Sequence, residues 1–240
     1  MDDRKSWEKS ELLVGQAGLR KLEDATVLVF GLGGVGSSCV EALARGGVGH
    51  LIIVDHASVR ASNLNRQAIA FTSTLGCRKV DVMDAMIAEI NPEATVVAHD
   101  VFVLPENLLD LFAVRPDYVV DAIDTVATKL ALARYADDSD IPLVSSMGAG
   151  NKFYPEQLEF ADIYDTAVCP LCKIVRKEAR ALGIGQLRVL YSRERPAEVP
   201  VSDRALRSER ANIGTMSYMP PIMGQMIAGE VIRGLLGVER

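Results

Sequence analysis

The sequence predicts a doubly wound parallel α/β sheet, and three observations carry that prediction. Strand-length apolar runs alternate with helical segments, and each run is apolar throughout rather than on alternate positions. A glycine-rich turn joins the first run to the first helix. Residues 1–24 are polar with a helical pattern and form a lead-in. ATVLVFG is the first buried strand, its β-branched content and length suiting a parallel neighbour on each side. A helix over about 35–45 follows the glycines, then HLIIVD as the second strand. TVVAHD near residue 95 reads as a third buried strand, DYVVDAID as a fourth and IPLVSS near 141 as a fifth. Between the second and third, GCRKVDVMDAMIAEI places Val80, Met83, Ile87 and Ile90 at helical spacing.

Beyond Gly148 the pattern loosens. CPLCKIVRKEARALGI predicts a helix stopped at Gly183. Residues 187–214 are polar and broken by prolines, which predicts a long mobile loop, with 192–215 a candidate to close over substrate. PPIMGQMIAGEVIRGLLGV closes the chain as a helix entered through two prolines. The expected organisation is one domain over 1–240: lead-in 1–24, nucleotide-binding core 25–150 and substrate-side extension 151–240.

Composition narrows the function classes. The 240 residues are 49% hydrophobic and 24% charged, a globular balance that argues against disorder. No run of about 18 apolar residues is present to span a membrane. The opening MDDRKSWEKSELL has no apolar signal core, so neither insertion nor export is expected and the cytoplasm is the expected compartment. Four cysteines are too few for a disulfide scaffold. Three histidines leave little room for histidine chemistry, which shifts attention to glycine, aspartate, arginine and lysine.

Gly31-Leu-Gly33-Gly34-Val-Gly36 lies after a strand and opens a helix. Gly31 permits the tight turn, Gly33 lets a phosphate approach the backbone, and Gly36 allows close helix packing. The helix N-terminus then presents free N–H groups to an anion. Asp55 follows Gly36 by 19 residues at the end of the second strand, where a carboxylate reaches ribose hydroxyls. To this point a nicotinamide-dependent dehydrogenase fits equally well.

The next stretch discriminates. Ser62-Asn63-Leu-Asn65-Arg66-Gln67 is an amide-rich loop with one arginine, and Lys79 follows at the first turn of the next helix. A triphosphate carries more charge than one helix terminus balances, and reaction at its α-phosphate needs cations there. Arg66 and Lys79 are candidates, with Asn63 and Asn65 fixing ribose and phosphates; a solvated loop and a surface lysine are the plainer reading. Asp121 and Asp124 fall at the carboxyl end of the fourth strand. Mg²⁺ takes oxygen ligands, so Asp124 is a candidate ligand or, alternatively, the N-cap of a helix starting at Thr125.

Read together, G-x-G-G-x-G, Asp55, N-x-N-R-Q, Lys79 and D-x-x-D resemble the adenylating enzymes that activate ubiquitin-like and sulfur-carrier proteins, the ThiF type. Within that superfamily, several segments are similar to the family of bacterial tRNA threonylcarbamoyladenosine dehydratases. They are SELLVG, VDAIDTVATK at 120–129, SSMGAGNK at 145–152, VCPL at 168–171 and YSRERP. The resemblance implies binding of ATP and Mg²⁺. It also implies adenylation of a threonyl carboxylate on a modified adenosine beside the tRNA anticodon, then ring closure by the carbamoyl group. Carried over by position, Gly31, Gly33, Gly34 and Gly36 hold the nucleotide and Asp55 binds ribose. Arg66 and Lys79 bind phosphates, Asp124 holds Mg²⁺, and Asn63, Asn65 and Gln67 line the site. A homodimer is implied as well. Activation of the C-terminal glycine of a small carrier protein is the alternative, and a nucleotide-binding module without adenylation a third.

Two departures from the family pattern stand out. Lys9-Ser10 occupies the place of an arginine that the resemblance makes a candidate to reach the ATP of the other subunit; lysine keeps the charge but loses the fork. Cys169-Pro-Leu-Cys172 falls where carrier-activating relatives have half of a four-cysteine zinc site, without a second pair. A lone pair of reduced thiols, a structural zinc and a redox or sulfur-transfer role with an unknown partner remain open. Between Lys173 and Arg195, seven basic residues (Lys173, Arg176, Lys177, Arg180, Arg188, Arg193, Arg195) face two acidic ones in a chain of net charge −6, the pattern of an RNA-backbone contact or of a solvated face.

Overall fold

The structure, a computed structural model, describes residues 7–199 and 213–238. Helix α1 (Glu8–Glu23) precedes β1 (Thr26–Phe30), α2 (Gly34–Arg45) and β2 (His50–Val54). Then come α3 (Lys79–Ile90), β3 (Thr95–His99), β4 (Tyr118–Asp121), α4 (Val126–Ser139) and β5 (Leu143–Ser146). The last part contains β6 (Leu158–Asp162), α5 (Pro170–Ala181), β7 (Arg188–Ser192) and α6 (Met219–Leu236). The seven strands form one sheet in the order β3-β2-β1-β4-β5-β7-β6, and only the β6–β7 pairing is antiparallel. The five predicted strands are all present, and the α/β class is as expected.

Both faces of the sheet are covered, and successive residues of β1 show it. Val27 and Val29 join the cluster under α2, α3 and α6, whereas Leu28 and Phe30 join that under α4 and α5. All four are fully buried, which is why the run is apolar throughout. Helix α6 lies against α2 so closely that a Cβ on Gly224 would fall 2.3 Å from the Val35 carbonyl oxygen.

Two expectations are corrected. TVVAHD is an edge strand rather than a buried one: β3 pairs with β2 alone and Val97 is 44% exposed. The stretch expected to be a loop from 187 instead begins with β7, whose Val189, Leu190 and Tyr191 are buried and pair with β5 and β6. The charges and prolines around its short apolar run mask it in the sequence. The partner strand β6 is an element the sequence does not announce. Residues 200–212 of the anticipated loop lie outside the described residues. Helix α5 ends as expected, with Gly183 just past it at φ 69°.

Candidate active site

Strand order reverses between β1, which runs on to β2, and β4, and a cleft of about 910 Å³ opens at the carboxyl ends there. Its floor is the glycine turn. Gly31 sits at φ 88°, with the Ala122 carbonyl oxygen 2.8 Å from where a Cβ would stand. A Cβ on Gly36 would fall 1.7 Å from the Gly31 carbonyl oxygen, so the turn folds onto its own helix only when residue 36 has no side chain. Gly33 and Gly34 line the cleft, and Gly33 faces open space, leaving the backbone approachable. Gly36→Ala is therefore expected to cost at least about 1–3 kcal/mol by overpacking. Chemical denaturation reads this, together with loss of nucleotide binding.

Asp55, one residue beyond β2, is built into this turn. Its Oδ2 accepts from the Leu32 N–H at 2.7 Å and its Oδ1 from the Ala57 N–H at 2.8 Å. Each oxygen keeps a lone pair for a further donor. Lys79 opens α3 and is 8% exposed, so it is not a surface lysine; its Nζ lies 3.6 Å from Asp55 Oδ2. Arg66 lines the cleft, its guanidinium donating to the Ser62 carbonyl and to Asn65 Oδ1, both at 2.8 Å. These contacts anchor one edge of the fork.

Gln67 also lines the cleft. Among the described residues its Oε1 is the one buried side-chain polar atom without a hydrogen-bond partner. A buried unpaired acceptor is costly, and such groups commonly await a ligand or water. Asp124 is exposed on the opposite wall. It does not cap the next helix, which starts at Val126 with Thr125 as its N-cap.

Asn63 and Asn65 are placed differently. Asn63 Oδ1 accepts from the Arg60 N–H at 3.0 Å, closing a short turn, and neither asparagine lines the cleft. Asn65 binds the Thr215 carbonyl through Nδ2 and Arg66 through Oδ1, so its contact with the site is through Arg66. Gly36 likewise lies behind the lining. Phe102, Asn151 and Lys152 line the cleft as well; the last two close the SSMGAGNK segment, but none of the three is among the site residues assigned from the sequence. The last two follow the carboxyl end of β5, and the same sheet-edge rule that finds Asp124 applies to them.

Beneath the Asp124 wall is a buried ion pair. Lys129 Nζ donates to Asp121 Oδ2 at 3.0 Å, to Ser145 Oγ at 3.2 Å and to the Ser146 carbonyl at 2.7 Å. Both charges are essentially inaccessible. The network ties the carboxyl ends of β4 and β5 together directly under the cleft.

The basic stretch is largely committed to the fold. Arg176 donates to Thr166, Arg188 pairs with Glu230 and Arg193 with Glu159, while Arg180 lies over the Tyr164 ring. Lys173, Lys177, Arg180, Arg193 and Arg195 are exposed. Lys9 is exposed on α1. No helix among the described residues is long and apolar enough to cross a membrane. No group of three or more His, Cys, Asp or Glu suited to a metal is found among them either.

Comparison with known proteins follows the same lines. The tRNA threonylcarbamoyladenosine dehydratase of Bacillus subtilis is 40% identical over 239 residues, covering 96% of this chain and 94% of that one. The Escherichia coli enzyme of the same name is 40% identical over 169 residues, covering 70% of this chain and 63% of its own length. A crystal structure of E. coli tRNA N6-threonylcarbamoyladenosine dehydratase in complex with ATP superposes with a TM-score of 0.89 at 30% identity. That match covers 99% of this chain and 96% of that one. The ThiF family matches residues 9–240. With the family model and these relatives matching nearly the full length, the chain belongs to the ThiF family.

Proposed function

We propose that this protein is an ATP-dependent tRNA threonylcarbamoyladenosine dehydratase. The observation that carries the reading is the convergence on one cleft of the glycine turn, Arg66, Lys79, the unpartnered Gln67 amide and Asp124. It is supported by relatives of that name matching nearly the whole chain. The substrate is the modified adenosine beside the tRNA anticodon, and the setting is the cytoplasm, with two copies forming a dimer.

In this reading a threonyl carboxylate oxygen attacks the α-phosphorus of ATP and pyrophosphate leaves. Arg66 and Lys79 stabilise the charge that develops on the phosphates, Asp55 holds the ribose, and the Gln67 amide gains the partner it lacks. The donor set fits a hard cation: Asp124 is an exposed carboxylate lining the same cleft as the glycine turn, and Mg²⁺ typically takes one or two carboxylates plus phosphate oxygens. When bound there, Mg²⁺ offsets phosphate charge. The carbamoyl group then attacks the activated carbonyl. AMP departs carrying a former carboxylate oxygen, a proton is released, and the nucleoside has lost the elements of water. Tethering nucleophile and electrophile in one nucleoside gives effective molarities of about 10⁵ M or more.

The test is AMP release from ATP and Mg²⁺ with three candidate acceptors: tRNA bearing uncyclised threonylcarbamoyladenosine, unmodified tRNA, and a small carrier protein ending in diglycine. Release with the first alone is expected. Release with the carrier alone transfers the reading to carrier activation.

Backbone contact to tRNA is assigned to the exposed cations of α5. Replacing Lys173 and Lys177 by glutamine is expected to reduce the slope of log affinity against log salt by about 0.7–0.9 for each phosphate that is no longer neutralised. Arg176 is left intact because Thr166 holds it. An unchanged slope removes α5 from the interface.

A further inference from the structure

The turn that opens α5 holds chemistry that adenylation does not use. Cys169 is the N-cap residue and Cys172 follows one helical turn later, on the same face. Both are free, and their side chains are neighbours. Cys172 is wholly buried and Cys169 is 4% exposed, yet Cys169 and its neighbours Pro170 and Leu171 line the cleft. Cys169 is therefore the member of the pair that adjoins the cleft.

The surroundings divide the two thiols. The neighbouring Cys172 thiol, backbone N–H groups of Leu171 and Cys172, and the nearby Lys152 charge hold Cys169 below the ordinary thiol range against the opposing effect of burial. Cys172 is pushed far above the ordinary thiol range, first by its bond to Cys169 and then by burial, while Thr166 and Arg176 face it. Lys152 is held in place by donating to the Glu194 carbonyl at 2.5 Å. The remaining cysteines lack this setting: Cys39 is buried in α2 with its thiol pushed up, and Cys77 is exposed on the surface.

A thiol at a helix N-cap beside a cleft, with a second thiol buried one turn behind it, is the arrangement of a nucleophile and its resolving partner. We infer that Cys169 and Cys172 form a dithiol site that takes small peroxides through the nucleotide cleft and closes to an intramolecular disulfide. The Cys169 thiolate attacks one peroxide oxygen, the O–O bond breaks, and the departing hydroxide takes up a proton from solvent. The resulting sulfenic acid is attacked by Cys172. An S–S bond forms, the S–O bond breaks, and the Cys172 proton departs with the oxygen as water. Two electrons pass from the thiols to peroxide.

The experiment uses the full chain carrying Cys77→Ser, which removes the exposed thiol. Hydrogen peroxide is added in small excess, and the protein is digested without reductant and mapped by mass. A peptide linked through Cys169 and Cys172, reversed by a dithiol reductant, is expected. On the untreated chain, alkylation by iodoacetamide is expected at Cys169 before Cys172, with a half-maximal rate at a pH below the ordinary thiol range. In a Cys172→Ala variant that midpoint is expected to rise and a sulfenic acid trap is expected to label Cys169. Two free thiols after peroxide, or oxidation of Cys169 to the sulfinic acid without a link to Cys172, overturn the inference.

Discussion

Replacing Arg66 by alanine, or Asp124 by asparagine, is expected to lower AMP formation by about 10²–10³ while leaving the fold intact. Arg66 meets the cleft with a guanidinium that, among the described residues, is anchored at the Ser62 carbonyl and Asn65 Oδ1. Alanine removes the charge proposed to stabilise the phosphates. Asp124→Asn keeps the shape and removes the charge that suits a hard cation. Unchanged thermal unfolding with collapsed turnover is the expected pair of readouts, and for Asp124→Asn excess Mg²⁺ is expected to restore part of the rate. Undiminished ATP consumption in both variants would remove these residues from the site.

A loss of stability of about 3–5 kcal/mol is expected for Lys129→Met, because removing one partner of a buried ion pair strands the other. Asp121 would keep its bonds from Ser145 Oγ and the Ile123 N–H but lose the ammonium that compensates its charge. Neutralising both, in Lys129→Met with Asp121→Asn, is expected to recover part of the loss, since desolvating two charges is itself costly. Denaturant midpoints of the single and double variants check this. Equal destabilisation by the single and double changes would mean that packing, not charge, holds the β4 and β5 ends together.

Sequence legibility follows the range of the interactions. The β1–glycine–α2 unit, Asp55 and Lys79 are set by local spacing, and the structure places all of them where that spacing predicts. What spacing does not reveal is which neighbour each polar group meets across the fold. Asn63 completes its own turn, and Asn65 reaches Thr215, 150 residues away. Arg188 reads as part of a basic surface until α6 brings Glu230 to it, and Arg176 until Thr166 does. Counting charges cannot see such partners. Strands β6 and β7 are obscured for a related reason: each is five residues long and carries polar residues whose partners, such as Glu159 with Tyr191 and Arg193, lie on the neighbouring strand or just beyond it. Gln67 is identifiable by position, but its buried unpaired oxygen, the feature that makes it informative, is visible only in three dimensions.

The central claim is that one cleft activates a carboxylate and lets its own nucleoside close the ring. Its most direct test follows the nucleoside by mass after incubation of the protein with ATP, Mg²⁺ and tRNA bearing uncyclised threonylcarbamoyladenosine. Loss of the elements of one water per AMP released is expected, both falling together by about 10²–10³ in Arg66→Ala. AMP release with the nucleoside mass unchanged, or no AMP with this tRNA, would contradict it.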